Sequence, residues 1–250
     1  MPITPTGPTR NLIAVVTGAA GGIGGGIAKK LASQGYSIAL TDLHQDALEI
    51  AAAQIPGSVA ISCDLRHEDQ VINLRNQVLE KLGQPTLLVN AAGVFFEHDL
   101  TQTTVEQYDL LMDVNVKGIF LTCKSFIPGM IANGGGSIVN IASTAGLHAG
   151  STRPIYSVSK AAVIMMTRSI TVDFGGKGIR ANVVCPGLID TPMADWITSR
   201  PDALEKWAQS LPAGRIGTVE DIAKAVSFLA SEDSDYMFGS VVVVDGGSRP

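Results

Sequence analysis

Cysteine is scarce in this chain: Cys63, Cys123 and Cys185 are its three thiols, scattered singly through 250 residues. An odd count with no close pair offers neither a disulfide framework nor metal-ligand spacing. The expectation is three small buried hydrophobes, two in strands and one in a helix, in a reducing cytoplasm, and no metal. Aromatic residues make up only 5% and charged residues only 16%, with a net charge of −5 and no cluster of Lys or Arg. There is thus no electrostatic case for a nucleic acid or an anionic membrane as partner. No apolar run is long enough for a helix to cross a bilayer. Residues 1–10 are rich in Pro and Thr and have no apolar stretch, so they read as a flexible N-terminal arm and not as a signal peptide.

What the chain has instead is small apolar residues: 46% are hydrophobic and 27 are glycines. They fall into short apolar runs alternating with helical patterns. The runs are Leu12–Val16, Tyr36–Thr41, Val59–Ser62, Leu87–Val89, Ser137–Ile141, Arg180–Val184 and Val241–Val244. Between them lie helical patterns at Gly26–Ala32, Gln45–Ala53, His67–Leu82, Thr104–Ala132, around Tyr156 and Lys160, and at Val219–Ala230. Strands buried on both faces read as unbroken apolar runs, and regular alternation with helices argues for a parallel sheet covered on both sides. The predicted fold is α/β: a doubly wound parallel sheet of about seven strands with helices on both faces, one domain over 11–250. The segment 188–213 interrupts the alternation with an amphipathic pattern punctuated by Pro192, Pro201 and Pro212.

Two motifs carry chemistry. The first is Thr17-Gly18-Ala19-Ala20-Gly21-Gly22-Ile23-Gly24, set between the first strand and the first helix. Glycines there permit a tight turn and close approach of backbone N–H groups to a pyrophosphate, which the positive end of the helix also favours. The spacing is GxxxGxG and differs from the commoner GxGxxG. The second strand ends at Asp42, where a carboxylate can accept hydrogen bonds from the adenosine ribose of NAD and repel the 2′-phosphate of NADP. The less favoured reading of Asp42 is an ordinary turn or capping aspartate. No Arg or Lys in the glycine loop offers a partner for a 2′-phosphate, which favours NAD.

The second motif is Tyr156-Ser157-Val158-Ser159-Lys160, with Ser143 upstream. On a helix, residues i and i+4 share a face, so phenol and ammonium point the same way. An unperturbed phenol has a pKa of about 10, and a neighbouring cation lowers it towards a range useful for proton transfer. Taken alone, the pair is also compatible with a solvated helix face.

Together these motifs resemble the short-chain dehydrogenase/reductase family from about Asn11 to Gly247. Thr17–Gly24 are similar to that family's TGxxxGxG loop, and Asn90-Ala91-Ala92-Gly93 to its NNAG stretch, with Ala91 in place of the second Asn. Asn115, Ser143, Tyr156 and Lys160 match its catalytic tetrad, Cys185-Pro186-Gly187 with Thr191 its PG motif, and Val244–Gly247 its closing strand. The resemblance implies a Rossmann fold and NAD held by Gly18, Gly22, Ile23, Gly24, Asp42, Asp64, Leu65, Asn90, Ala91, Gly93, Tyr156, Lys160, Pro186, Gly187, Ile189 and Thr191. It assigns Asp64 to the adenine and Thr191 to the nicotinamide carboxamide. Ser143 would bond the substrate oxygen, Tyr156 move the proton, Lys160 lower the Tyr156 pKa and hold the ribose, and Asn115 position a water. Segment 188–213 would be a substrate lid.

The implied activity is NAD-dependent interconversion of a secondary alcohol, polyol or hydroxy compound and its ketone. The alternatives are a 3-oxoacyl-[acyl-carrier-protein] reductase and a non-catalytic dinucleotide-binding relative. Residues expected near the substrate are Phe95, His98, Leu147, His148, Arg153, Leu188, Met193 and Trp196. A homotetramer is expected, because Leu110, Leu111, Ile119, Phe120, Val163, Ile164, Met165 and Met166 extend beyond one helix stripe.

Overall fold

The computed structural model describes residues 11–248, so the predicted arm at 1–10 lies outside the described residues. Seven parallel strands form one sheet in the order β3-β2-β1-β4-β5-β6-β7. They are β1 Ile13–Thr17, β2 Ser37–Asp42, β3 Val59–Ser62, β4 Leu87–Asn90, β5 Gly136–Ile141, β6 Ile179–Pro186 and β7 Val241–Val244. The order reverses between β1 and β4, whose ends pair Thr17 with Asn90. That reversal opens a crevice at the carboxyl ends of the strands, the place where such sheets bind ligands.

Strand residues alternate between two cores. Ala14, Val16, Leu40 and Val89 face helices α1 (Gly22–Ser33), α2 (Gln45–Ala53) and α9 (Val219–Ala230) through Ile27, Leu31, Leu48, Ile222 and Val226. Val15, Leu88, Ile138 and Val183 face α3 (Glu68–Lys81), α5 (Gly118–Ala132) and α6 (Pro154–Phe174) through Leu74, Phe126, Met130 and Val163. The period-2 geometry of a strand distributes these residues, and complete burial on both faces explains why the runs are almost wholly apolar. Arg180 braces one edge: its guanidinium donates to the carbonyls of Leu229, Ser231 and Ser234 near the end of α9, a favoured place for a cation.

Three expectations need correction. The predicted helix over Thr104–Ala132 is not continuous: α4 (Val105–Met112), started by a capping box between Thr104 and Gln107, meets α5 through a π-helical turn at Asp113–Lys117. Cys63 lies just beyond β3, not in a strand, although all three thiols are buried and unpaired. Of the apolar residues expected to need a partner subunit, Leu111, Ile119, Val163 and Ile164 are buried in the chain's own core. Phe120 and Met165 do remain exposed, with Val172 nearby on α6.

Candidate active site

The glycine turn is built by close packing on one side and openness on the other. A Cβ at Gly18, whose φ is +66°, would come within 2.8 Å of the Ala92 backbone, and one at Gly24 would collide with the Gly18 carbonyl. Neither position can carry a side chain while the turn holds β1, α1 and the chain after β4 together. At Gly21 a Cβ would meet nothing, and at Gly22 only the Thr191 methyl at 3.9 Å. No side chain caps the first turn of α1, and no acidic residue sits there. Its N–H groups are therefore open to an anion, which fits the residues for a dinucleotide pyrophosphate. Thr17, to which the sequence reading attached no role of its own, joins both sides of the switch point: its Oγ1 accepts from the N–H groups of Ala91 and Ala92 at 3.0 and 3.1 Å.

Asp42 ends β2 and is fixed from two directions, accepting from Ala20 N–H at 3.2 Å and Leu43 N–H at 2.8 Å. It thus orders the glycine loop as well as presenting a carboxylate. Asp64, expected at the adenine, is paired within the chain: Arg66 grips its carboxylate through Nε and Nη2 at 2.6–3.0 Å and holds it below the usual carboxylate range. Leu65 packs against the core of the α3 face. The Asn90 side chain turns away from the crevice into a buried network, donating to Asn140 Oδ1 and accepting from Thr122 at 2.8 Å each. Any contact from Asn90 to a ligand in the crevice must come from its backbone.

A cleft of about 320 Å³ lies at the carboxyl ends of the strands. It gathers Ile23, Ala91, Gly93, Ser143, Tyr156, Lys160, Pro186, Gly187, Ile189 and Thr191, residues drawn from widely separated parts of the chain. Ser143 follows β5, and its Oγ accepts from Ala145 N–H at 3.1 Å, opening a short turn at Thr144–Gly146. Gly146 lets that turn lie against α6: a Cβ there would be 2.6 Å from the Lys160 carbonyl carbon. Proline at the start of α6 launches the helix that carries Tyr156 and Lys160 on one face.

Lys160 is 4% exposed and donates Nζ to the Ile141 carbonyl at 3.0 Å. Its ammonium lies 5.7 Å from the centre of the Tyr156 ring. Burial lowers the Lys160 pKa to about 8. Burial also raises that of Tyr156, and the Ser143 hydroxyl and the Arg153 charge oppose this rise.

Asn115 sits in the π-helical turn, fully buried. Its Oδ1 accepts from Val94 N–H at 2.8 Å, and its Nδ2 donates to Val94 O at 3.0 Å and Ser159 Oγ at 3.1 Å. Ser159 in turn donates to the Tyr156 carbonyl at 2.7 Å. The amide therefore clamps the loop after β4 to the helix turn that carries the tyrosine. The π-turn is the local irregularity that aims it there. Ser159 and Gly146 received no role in the sequence reading because their contacts, to Asn115 and to the Lys160 backbone, form only in the folded chain.

Phe95, His148, Arg153, Leu188, Met193 and Trp196 line the cleft as expected, whereas His98 and Leu147 do not. Trp207, Ser210 and Leu211, within the segment expected to form the lid, line it too, and Ser248 lines it without having been anticipated. The segment 188–213 contributes through a short turn at Pro192–Ala194 and helices α7 (Asp195–Thr198) and α8 (Pro201–Ser210). Among the described residues no group of three or more His, Cys, Asp or Glu is placed to hold a metal ion, and no helix is long and apolar enough to cross a membrane.

Comparison with known proteins agrees with this architecture. The family model described as enoyl-(acyl carrier protein) reductase matches residues 18–249. The chain is 40% identical to the 2-(R)-hydroxypropyl-CoM dehydrogenase of Xanthobacter autotrophicus over 94% of this chain and 97% of that one. It is 34% identical to the 3-oxoacyl-[acyl-carrier-protein] reductase FabG of Thermotoga maritima, over 94% and 96%. Among solved structures, a gluconate 5-dehydrogenase from Burkholderia cenocepacia J2315, in complex with NADP and tartrate, superimposes with a TM-score of 0.90. It is 29% identical, with 96% of this chain and 95% of that one covered. With the sheet order, the glycine turn and the Ser143, Tyr156 and Lys160 cleft, these matches establish that the chain is an oxidoreductase belonging to the short-chain dehydrogenase/reductase family.

Proposed function

We propose that this chain interconverts a secondary alcohol and its ketone with NAD as redox partner. The observation that carries the reading is the convergence of Ser143, Tyr156 and Lys160 on one cleft with Gly93, Pro186, Gly187 and Thr191. The dinucleotide, when bound, supplies the hydride acceptor for oxidation and the donor for reduction. Gly18, Gly22, Ile23, Gly24, Ala91, Gly93, Pro186, Gly187, Ile189 and Thr191 would hold it, with Asp42 at the adenosine ribose.

The protein's own work is proton transfer and positioning. Ser143 Oγ donates a hydrogen bond to the substrate oxygen. Tyr156 Oη, as phenolate, takes the hydroxyl proton as the carbonyl forms, and as phenol returns it in the reverse direction. Lys160 supplies a nearby positive charge, and the bonds from Asn115 and Ser159 fix the helix turn bearing both. Preference for NAD rests on Asp42, fixed by two backbone N–H groups, and on a glycine loop without a basic side chain. We take segment 188–213 as the substrate lid, since Leu188, Met193, Trp196 and Trp207 line the cleft. The three unpaired thiols fit a reducing cytoplasm.

The test is turnover of a panel of secondary alcohols, polyols and ketones with each dinucleotide, followed by nicotinamide absorbance. Alcohol oxidation with NAD supports the reading, and failure of the entire panel refutes it. A 3-oxoacyl-[acyl-carrier-protein] reductase is the second reading, favoured by the Thermotoga relative so described. Faster reduction of an acetoacetyl-carrier protein with NADPH than of any free ketone would select it.

A further inference from the structure

One wall of the cleft is aromatic and carries an unspent cation. Phe95 stands edge-on to Tyr156 with ring centres 5.1 Å apart, Trp196 lies 6.4 Å beyond Phe95, and Trp207 meets Trp196 edge-on at 6.1 Å. The Arg153 guanidinium rests over Trp196, 5.9 Å from its ring centre. Its Nε is sealed from solvent and has no hydrogen-bond partner among the described residues. Arg66, Arg180 and Arg215, by contrast, are tied to carboxylates or carbonyls.

A buried charged donor left unpaired is costly, and a fold tolerates one where a ligand completes it. The surroundings make room for this one. Gly150 has no Cβ, and a Cβ there would press on Arg153 Nε at 2.7 Å. Thr152 adopts a φ of 59°, the one non-glycine residue in the left-handed region among the described residues. Its Oγ1 donates to the Ser151 carbonyl at 2.7 Å. Strain of that kind next to a functional group is characteristic of sites that aim a side chain. No Asp or Glu lines the cleft, although the chain as a whole carries a net charge of −5. The cleft's buried ammonium, that of Lys160, is already committed to the Ile141 carbonyl.

We propose that Arg153 determines substrate specificity by binding the anionic terminus, a carboxylate or sulfonate, of a short secondary alcohol or ketone. The substrate's reacting oxygen lies at Ser143 and Tyr156, and its apolar stem runs along Phe95 and Trp196. A planar guanidinium fork matches two oxygens of such a group. A single guanidinium balances one negative charge, which favours a monoanion over a phosphate dianion. The inference rests on the dehydrogenase reading for turnover, but anion binding can be measured without it.

The experiment compares the parent chain with Arg153→Gln and Arg153→Lys, after thermal melts establish that each is folded. With NAD, 3-hydroxybutyrate and 4-hydroxypentanoate are set against their methyl esters, and a hydroxyalkanesulfonate of equal length separates sulfonate from carboxylate. The parent should prefer acid to ester by roughly 100-fold in kcat/KM, mostly through KM. Arg153→Gln should collapse that ratio to within about threefold, and Arg153→Lys should keep an intermediate value because charge survives without the fork. In calorimetry, butyrate and propane-1-sulfonate should bind the parent at least about tenfold more tightly than they bind Arg153→Gln. Equal use of acid and ester by the parent, or a ratio unchanged in Arg153→Gln, overturns the proposal. If no alcohol is turned over, the dehydrogenase reading falls, and calorimetry alone decides the anion site.

Discussion

The buried ammonium of Lys160 donates to the main-chain carbonyl of Ile141 at 3.0 Å, joining the helix that carries Tyr156 to the last residue of β5. Burial lowers the Lys160 pKa from 10.5 to about 8. The folded state thus binds fewer protons than the unfolded state between those values, and stability rises with pH there. Below pH 8 the full cost of the buried charge is present, about 3 kcal/mol for a shift of that size. Lys160→Met removes this pH dependence. In urea titrations, the parent should gain about 3 kcal/mol relative to Lys160→Met between pH 7 and pH 10.5. A difference that does not change with pH would show that the ammonium is not buried in this way.

Tyr156→Phe should abolish most turnover and leave dinucleotide binding intact, because only the proton-transferring hydroxyl is lost. The expected fall in kcat is about 10²–10⁴-fold. Since burial raises the Tyr156 pKa, alcohol oxidation should keep climbing with pH as the phenol ionises, while ketone reduction should be favoured at lower pH. Retention of most of the turnover in Tyr156→Phe would remove the tyrosine from the mechanism.

NAD should support turnover at least about tenfold better than NADP, because a 2′-phosphate beside the Asp42 carboxylate adds like-charge repulsion. Asp42→Ala should narrow that gap. It should also raise the KM for NAD, since the Ala20 N–H loses its acceptor and the glycine loop loosens. Equal use of both dinucleotides by the parent would refute the role given to Asp42.

Gly146→Ala should cost about 1–3 kcal/mol in stability by overpacking the turn against α6, since its Cβ would stand 2.6 Å from the Lys160 carbonyl carbon. The same displacement moves Ser143 relative to Tyr156, so kcat should fall more than KM rises. A variant with unchanged melting temperature and kcat would mean the turn can shift without consequence.

A homotetramer is the expected assembly. Phe120, Met165 and Val172 leave one apolar surface on α5 and α6, and Phe228, Phe238 and Val243 another near β7. Light scattering should give a mass about four times that of the chain, and Phe120→Asp with Met165→Asp should reduce it to that of a dimer. A mass near 26.1 kDa for the parent would exclude assembly.

The alternating apolar runs and the glycine turn were enough, in sequence, to predict a doubly wound parallel sheet, and the i, i+4 spacing set Tyr156 and Lys160 on one face, whereas Ser143 was marked through the family resemblance. Strand burial, tight turns and i, i+4 spacing are local properties, written in a few adjacent residues. Tertiary structure alone decided what depends on distant contacts. The π-turn that aims Asn115 at Val94 and Ser159, the Arg66 grip on Asp64, and the inward turn of the Asn90 side chain have no local periodicity to announce them. The pKa directions of Tyr156 and Lys160 belong to the same class, because burial depends on every element that closes over them. So does the unpaired Nε of Arg153: the sequence supplied an arginine before a helix, and only packing sealed that nitrogen from solvent without giving it a hydrogen-bond partner among the described residues.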